Sequence, residues 1–357
     1  MSLERLTIVI PSYNRQRFIS RQVEFWSKSP VSLVILDGSK DPIRYLKKTN
    51  SKKIIYHHSR NSLEQRLKES LVFINTEYVA MISDDEFFCK SSLKSCINFL
   101  DTHKDYSTCK GMAIGFNWDG NQVLAFKIYP KLEGYDINNK SSFERMNFHM
   151  KNYEMASLWS IQRSEVYSSC INSVSKYSKY SSAAVAEIQF SLISSFMGKI
   201  KVIQNLMWLR SFENKNIWWN EGRLEIKDWW LDKKYSNEHK KLIDSIITFA
   251  RNDKNISPKE TDVKNAINLY VFESKSYFFK FLIFIKKFIK KILLKNKDSI
   301  FVKFLLNIYP INSLKNKEII QEPIETLAKK FNETEISEIK EIQEIISNFY
   351  NNKKQNK

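Results

Sequence analysis

Four short apolar runs rich in β-branched residues alternate with helix-spaced segments over residues 5–85, and this alternation limits the fold more than any other feature. The runs are "RLTIVIPSYN" (5–14), "SLVILDGS" (32–39), "KIIYHH" (53–58) and "YVAMISDD" (78–85). Between them, "RFISRQVEFWSK" (17–28) and "SLEQRLKESLVFIN" (62–75) repeat their apolar residues at the spacing of a helix face. Such alternation predicts parallel βαβ units in a sheet covered on both faces. Ligands of open α/β sheets bind beyond the carboxyl ends of the strands. Pro11-Ser12-Tyr13-Asn14, Asp37-Gly38-Ser39 and Asp84-Asp85-Glu86 all fall at such ends.

The last of these groups needs a reason. Three consecutive carboxylates close a buried run, and acidic side chains are rarely buried unless paired or bound to a metal. One reading is a hard divalent cation, Mg²⁺ or Mn²⁺, which takes one or two carboxylates and completes its shell with water and phosphate oxygens. Such an ion would steady a departing diphosphate. The other reading is an acidic turn at the N-terminus of the next helix, where carboxylates are favoured.

Other chemistries lose ground on composition. Among 357 residues only 7 are glycine, and neither GxGxxG nor GxxxxGK[ST] occurs, which disfavours dinucleotide oxidoreductases and P-loop hydrolases. HExxH and GxSxG are absent as well. The net charge of +18 implies an anionic partner. Cys89, Cys96, Cys109 and Cys170 lack metal-ligand spacing, and no leader-like segment opens the chain, so reduced thiols in a cytoplasmic protein are expected. No run is long and uncharged enough to span a bilayer.

"TIVIPSYNR", "VILDGSKD" and "SLEQRLKESLVFINTEYVAMISDDEF", in that order, resemble the family-2-like glycosyltransferases of GT-A fold, firmly over about 5–90 and more loosely to about 212. The resemblance implies an α/β catalytic domain over 1–230, a Rossmann-like mixed sheet flanked by helices. It implies that Pro11, Tyr13 and Arg15 shape a nucleotide pocket, with Tyr13 near the base. Asp37 would accept a hydrogen bond from the base, Arg66 would approach the nucleotide, and Asp84 would meet the ribose or the metal's water shell. Asp85 would ligate the metal, with Glu86 taking that role if the motif is read as Asp-x-Glu. The implied reaction is metal-assisted, inverting transfer of a sugar from a nucleotide sugar, UDP-linked, to a hydroxyl of a surface polysaccharide or lipid-linked glycan.

That transfer needs a base. Glu187, in "AAVAEIQF", is an acid within an apolar helical run, a setting that raises a carboxyl pKa and suits proton uptake. It lies where the family places its acceptor-side acid, although Ile188 stands where a second acid is usual; Asp119 and Glu154 are alternatives. Arg210, in "NLMWLRSF", occupies a position that in the family contacts the diphosphate, and Trp159, in "NYEMASLWSIQRSEVY", is placed to stack on an acceptor sugar. His57 and His58 receive no role.

Beyond residue 231 the composition shifts to Lys, Ile, Asn and Glu, which predicts a helical extension over 231–357. "YFFKFLIFIKKFIKKILLKNK" (277–297) reads as a basic amphipathic helix suited to an anionic membrane surface, or as a core helix with a solvated basic face. "ETLAKKFNETEISEIKEIQEIISNF" (325–349) reads as a second helix. No nucleic-acid module is recognisable. Two rival readings remain: a metal-dependent nucleotidyltransferase, and a non-catalytic membrane-associated protein built on a degenerate transferase domain.

Overall fold

The computed structural model describes residues 2–47, 53–176, 180–213, 224–254, 258–273, 320–330 and 333–355. The basic segment 277–297 lies outside them. The expected alternation is present. β1 (Leu6–Ser12), α1 (Gln16–Trp26), β2 (Ser32–Asp37), α2 (Arg44–Lys47), β3 (Ile54–His58), α3 (Leu63–Ser70) and β4 (Tyr78–Met81) follow one another. After β5 (Phe87–Phe88) come α4 (Lys90–Thr102), β6 (Tyr106–Trp118), β7 (Val123–Lys127), β8 (Asp136–Ile137) and α5 (Ser142–Lys151). Then come β9 (Ile161–Arg163), α6 (Ser164–Lys176), α7 (Ala184–Met197) and β10 (Lys199–Ser211). The run at 78–85 stops being a strand at Met81, so the three acids sit in a loop and not on the strand itself.

All these strands share one mixed sheet. Its path runs β7–β6–β9–β4–β1–β2–β3, with β10 beside β6 and also pairing β5 and β8. Strands β4, β1, β2 and β3 are mutually parallel, while β9 is antiparallel to β4. The register sets Ser12 opposite Asp37, and Asp37 opposite His58, so the polar ends of neighbouring strands come out side by side.

The parallel strands alternate between two cores. Leu6, Ile8 and Ile10 of β1, Leu33 and Ile35 of β2, and Tyr78 and Ala80 of β4 enter one core. Val9, Val34, Leu36, Val79 and Met81 enter the other, on the opposite face. Side chains of a strand point to opposite faces in turn, so burial on both sides follows from helices covering both. Each such aliphatic side chain contributes roughly 1.5–3 kcal/mol on leaving water.

The chain after 231 is not packed as an appendage. Helices Ser236–Lys254 and Glu260–Asn268 give Leu242, Ile246, Val263 and Ile267 to the second core. A short strand, β11 (Glu322–Pro323), pairs with β7, and the helix Glu333–Gln355 sends Ile339, Ile342 and Ile346 into the first core. The expected helix over 325–349 is therefore two helices, Ile324–Ala328 and Glu333–Gln355. All four cysteines are buried thiols.

The start of the sheet is fastened electrostatically. Arg5 donates to both carboxylate oxygens of Asp101 on α4 (2.7 and 2.8 Å) and to Glu77, and the Tyr78 hydroxyl donates to Asp101 at 2.7 Å. Arg5 and then Tyr78 hold the Asp101 carboxyl down at about 2. A depressed folded-state pKa contributes stability above the ordinary carboxylate value of about 4, and that contribution disappears as pH falls through about 2. Asp101→Asn is expected to lower the melting temperature at pH 7, with the gap to wild type closing between pH 4 and pH 2; thermal melts across that range check it.

Candidate active site

The ends of β1, β2 and β4 carry polar side chains out of an apolar sheet, and each is tied down. Asp37 is fully buried. Its Oδ1 accepts from the Ser39 backbone N–H (2.9 Å), and its Oδ2 accepts from Tyr56 Oη (2.6 Å) and Gln16 Nε2 (2.9 Å). The Ser39 hydroxyl adds a fourth hydrogen bond while itself accepting the Asn14 N–H at 2.9 Å. Burial favours the protonated acid, but these donors outweigh it and hold the pKa below the usual range. A carboxylate has about four acceptor sites, and all are filled here. Asp37 organises the pocket. For it to meet a base N–H, a donor must give way, and Gln16, at the start of α1, can leave without unpairing a strand.

Arg66 lies across the same strand ends. Its Nη1 donates to the carbonyls of Ser12 (2.8 Å) and Leu36 (2.6 Å), joining the tips of β1 and β2, and its Nε reaches Asn61 O at 3.2 Å. This requires a glycine beneath it: a Cβ at Gly38 would lie 2.6 Å from the Arg66 guanidinium carbon. Asn14 turns the chain after β1 with φ of 55°, a left-handed conformation that asparagine tolerates. The turn leaves Tyr13 64% exposed and brings Arg15 back toward the acidic loop. Pro11 pairs opposite Leu36 within the sheet.

In the acidic loop, Ser12 Oγ donates to Asp84 Oδ2 at 2.6 Å, and the Arg15 guanidinium is ion-paired with Asp84 (3.1 Å) and Asp85. Burial works against the Arg15 charge, yet Asp85 and Asp84 hold its pKa above the ordinary value. Burial pushes Asp84 up to about 6 even though Arg15 and Ser12 oppose the shift. The loop backbone is held from α1: Arg21 Nη2 donates to Asp85 O at 2.8 Å, and Gln22 Nε2 to Asp84 O (3.1 Å) and Glu86 O (2.6 Å).

Glu86 turns to a different environment. Its carboxylate accepts the Trp208 indole N–H at 2.8 Å, and burial, with Asp85 beside it, pushes its pKa up to about 8. Lys110 lies 4.1 Å from the centre of the Trp208 ring and donates to Met155 O at 2.8 Å. Tyr129 and Trp159 stack on Trp208 with centroids at 5.6 and 5.8 Å. Arg210 rests over the same aromatic group, 5.7 Å from Trp208 and 5.5 Å from Tyr129. Burial lowers the Arg210 pKa, and the charges of Glu86 and Asp85 oppose that shift. Trp159 and Arg210 thus adjoin the acidic loop through Trp208.

Glu187 is elsewhere. It lies in the first turn of α7, half-buried, and accepts from Tyr153 Oη at 2.6 Å; Tyr153 in turn packs edge-on against Tyr270 at 4.9 Å. Those neighbours belong to the second core. Of the alternatives, Glu154 pairs with Lys131 at 3.1 Å, and Asp119 caps an exposed turn between β6 and β7. His57 pairs with Glu69 at 2.8 Å, and His58 with Ser39 O at 2.8 Å, so both brace the pocket wall.

Among the described residues, no three His, Cys, Asp or Glu side chains gather as a metal cage. The donor set suits a different arrangement: Asp84 and Asp85 offer two carboxylates on one side of Arg15, enough for an ion completed by substrate phosphates and water. Glu86, committed to Trp208, is set apart from that pair. Ser12, Gln16, Arg21, Gln22, Tyr56 and Trp208 escaped the sequence analysis as site-shaping residues. Only the α1 face carried a usable signal: Arg21 and Gln22 are polar residues within an otherwise apolar helical stripe. Gly38→Ala is expected to cost about 1–3 kcal/mol by driving Arg66 off its carbonyls; urea unfolding of the purified variant measures it.

No protein-family profile matches the chain, and no curated protein matches it in sequence. Solved structures do match. S. aureus TarS 1–349 in complex with UDP-GlcNAc is similar over 75% of this chain and 72% of that one, with 13% identity and a TM-score of 0.52. S. aureus TarS 1–349 also aligns over 75% of this chain and 71% of its own, with 12% identity and a TM-score of 0.49. At such identity the likeness speaks of the fold. The chain has the mixed α/β architecture, a curled sheet flanked by helices, of a GT-A-type glycosyltransferase fold.

Proposed function

We propose that this chain is a glycosyltransferase that moves a sugar from a nucleotide sugar, UDP-linked, to an acceptor hydroxyl. The observation that carries the reading is the meeting of Arg15 with Asp84 and Asp85 at the ends of β1 and β4, near Arg210, with the exposed Tyr13 two residues from Arg15 in the same turn. It occurs in a fold shared with a protein solved in complex with UDP-GlcNAc, which supports a nucleotide-sugar donor. An exposed tyrosine offers a stacking face for a base. Arg15 and Arg210 offer positive charge to a diphosphate.

Asp85, assisted by Asp84, would hold Mg²⁺ or Mn²⁺, which supplies charge neutralisation to the leaving nucleoside diphosphate. Arg15 then turns from the carboxylates to the phosphates, keeping the local charge balanced. The acceptor oxygen attacks the anomeric carbon from the face opposite the diphosphate. A new C–O bond forms as the bond to the diphosphate oxygen breaks, and the nucleotide leaves with that electron pair. The acceptor proton passes to a carboxylate, for which Glu187 is the proposed base and Tyr153 its orienting partner. Trp159, stacked on Trp208, lends a face to the acceptor ring. The proposed acceptor, a surface polysaccharide or lipid-linked glycan, accords with the lysines of 275–297, which suit an anionic membrane surface.

Incubation with UDP-sugars and Mn²⁺ should release UDP; consumption of a nucleoside triphosphate with pyrophosphate release would replace this reading with nucleotidyl transfer. Asp85→Asn should abolish the metal-dependent part of nucleotide binding in a thermal-shift titration, with the apo melting temperature near that of wild type. Glu187→Gln should retain donor binding and lose transfer by about two to four orders of magnitude, and an unchanged rate would assign the base elsewhere. Replacing the lysines of 275–297 with glutamine should free the protein from anionic vesicles in a sedimentation assay; continued co-sedimentation would remove the membrane from the proposal.

A further inference from the structure

The end of the helix Glu333–Gln355 is placed against the back of the acidic loop, and one buried arginine connects them. Arg21 of α1 is 2% exposed. It grips Glu213 with both arms of its guanidinium, at 2.9 and 2.8 Å, and the same Nη2 donates to the carbonyl of Asp85 at 2.8 Å. Both side chains of the Arg21–Glu213 pair are fully enclosed. A buried ion pair that loses its surroundings leaves an uncompensated charge, so whatever encloses this pair governs it.

The enclosure is aromatic, and part of it comes from the far end of the chain. The Arg21 guanidinium carbon lies 4.8 Å from the Phe18 ring centre, 5.0 Å from Phe87 and 4.9 Å from Phe349. Phe349 also packs on Phe18 at 5.2 Å, while Tyr350 stacks flat on Trp118 at 5.3 Å with 3° between the planes. The Tyr350 hydroxyl hydrogen-bonds Glu213, and burial with that carboxylate raises its pKa above the ordinary phenol value. Ser211 Oγ donates to Glu213 at 3.0 Å and fixes it from β10. Elsewhere on the same helix, Glu338 accepts from the Ser91 N–H (2.9 Å) and Glu341 from Lys90 (3.0 Å), so the helix is anchored independently along α4.

We infer that Phe349 and Tyr350 are positioning residues of the donor site: by closing over Arg21 and Glu213 they fix the carbonyl of Asp85, and with it the direction of the Asp84 and Asp85 carboxylates. The inference rests on the proposed donor role of that loop. Ile339, Ile342 and Ile346 bury the apolar face of the helix, and the aromatic pair adds contacts to Phe18, Trp118 and the Arg21–Glu213 pair at its end.

The test uses the full chain with Tyr350→Phe, Phe349→Leu and, as a control on the same helix, Glu341→Gln, each checked for a native far-UV spectrum. Hydrogen exchange of the peptide covering residues 83–89 should quicken by about tenfold in the first two variants. It should stay at the wild-type rate in the control, with β2 and β3 unaltered in all three. Affinity for UDP with Mn²⁺ should fall by about ten- to a hundredfold in the same two variants, while the acceptor KM holds. Unchanged exchange at 83–89 overturns the inference, as does equal loosening in the Glu341→Gln control. Faster exchange with undiminished UDP affinity also overturns it. Failure of the wild-type chain to bind UDP strikes at the donor reading instead, and the exchange comparison, which needs no ligand, still decides whether the helix end holds the loop.

Discussion

Backbone carbonyls that outrun their strand partners must find donors elsewhere, because burying one unpaired costs about 1–3 kcal/mol. That demand shapes the whole edge where β1, β2 and β4 end. Arg66 donates to Leu36 and adds a second donor to Ser12, whose carbonyl also takes the Gly38 N–H at 2.9 Å; Arg21 answers the demand for Asp85, and Gln22 for Asp84 and Glu86. These donors are long side chains whose apolar stems cross the core and whose heads reach the exit of the sheet. The acidic loop is consequently held by its main chain, while Asp84 and Asp85 meet Arg15, Asp84 also takes the Ser12 hydroxyl, and Glu86 takes the Trp208 indole.

Two electrostatic settings meet within three consecutive residues. Asp84 and Asp85 face a cation, and Glu86 faces an indole and a buried lysine beneath it. A turn at Asp84 and Asp85, closed by the Glu86 N–H donating to Ser83 O at 3.2 Å, separates them. Burial, with Asp85 beside it, pushes the Glu86 pKa up to about 8, which suits its place against an aromatic wall. The wall it supports, Tyr129, Trp208 and Trp159, continues toward the half of the molecule that holds Glu187.

How far the sequence reveals this depends on range. Parallel strands buried on both faces announce themselves as β-branched runs, so β1 to β4 and the helices between them could be read directly, as could the polar groups at their tips. Tyr13 and Arg15 enter through the family resemblance of the motif that follows β1. Asp37 was expected to be an open acceptor, and only the fold reveals that Tyr56 and Gln16, drawn from different elements, fill it. Arg21 was unreadable for the same reason: its partners are Asp85, Glu213 and Phe349, scattered over most of the chain. A composition shift near 231 suggested an appendage, but lysine and isoleucine content says nothing about which surface a helix covers. The isoleucines of Glu333–Gln355 complete the first core.

The placement of that last helix bears on how the protein is made. Phe349 and Tyr350 lie more than 300 residues after Arg21 in the sequence, yet they cover an ion pair whose arginine belongs to the first helix of the sheet. Domains begin to fold while still emerging from the ribosome, amino-terminal parts first. The parallel strands can therefore assemble early, but Arg21 must wait until residues 349 and 350 have emerged before its surroundings close, and a nascent chain carries an incomplete enclosure until then.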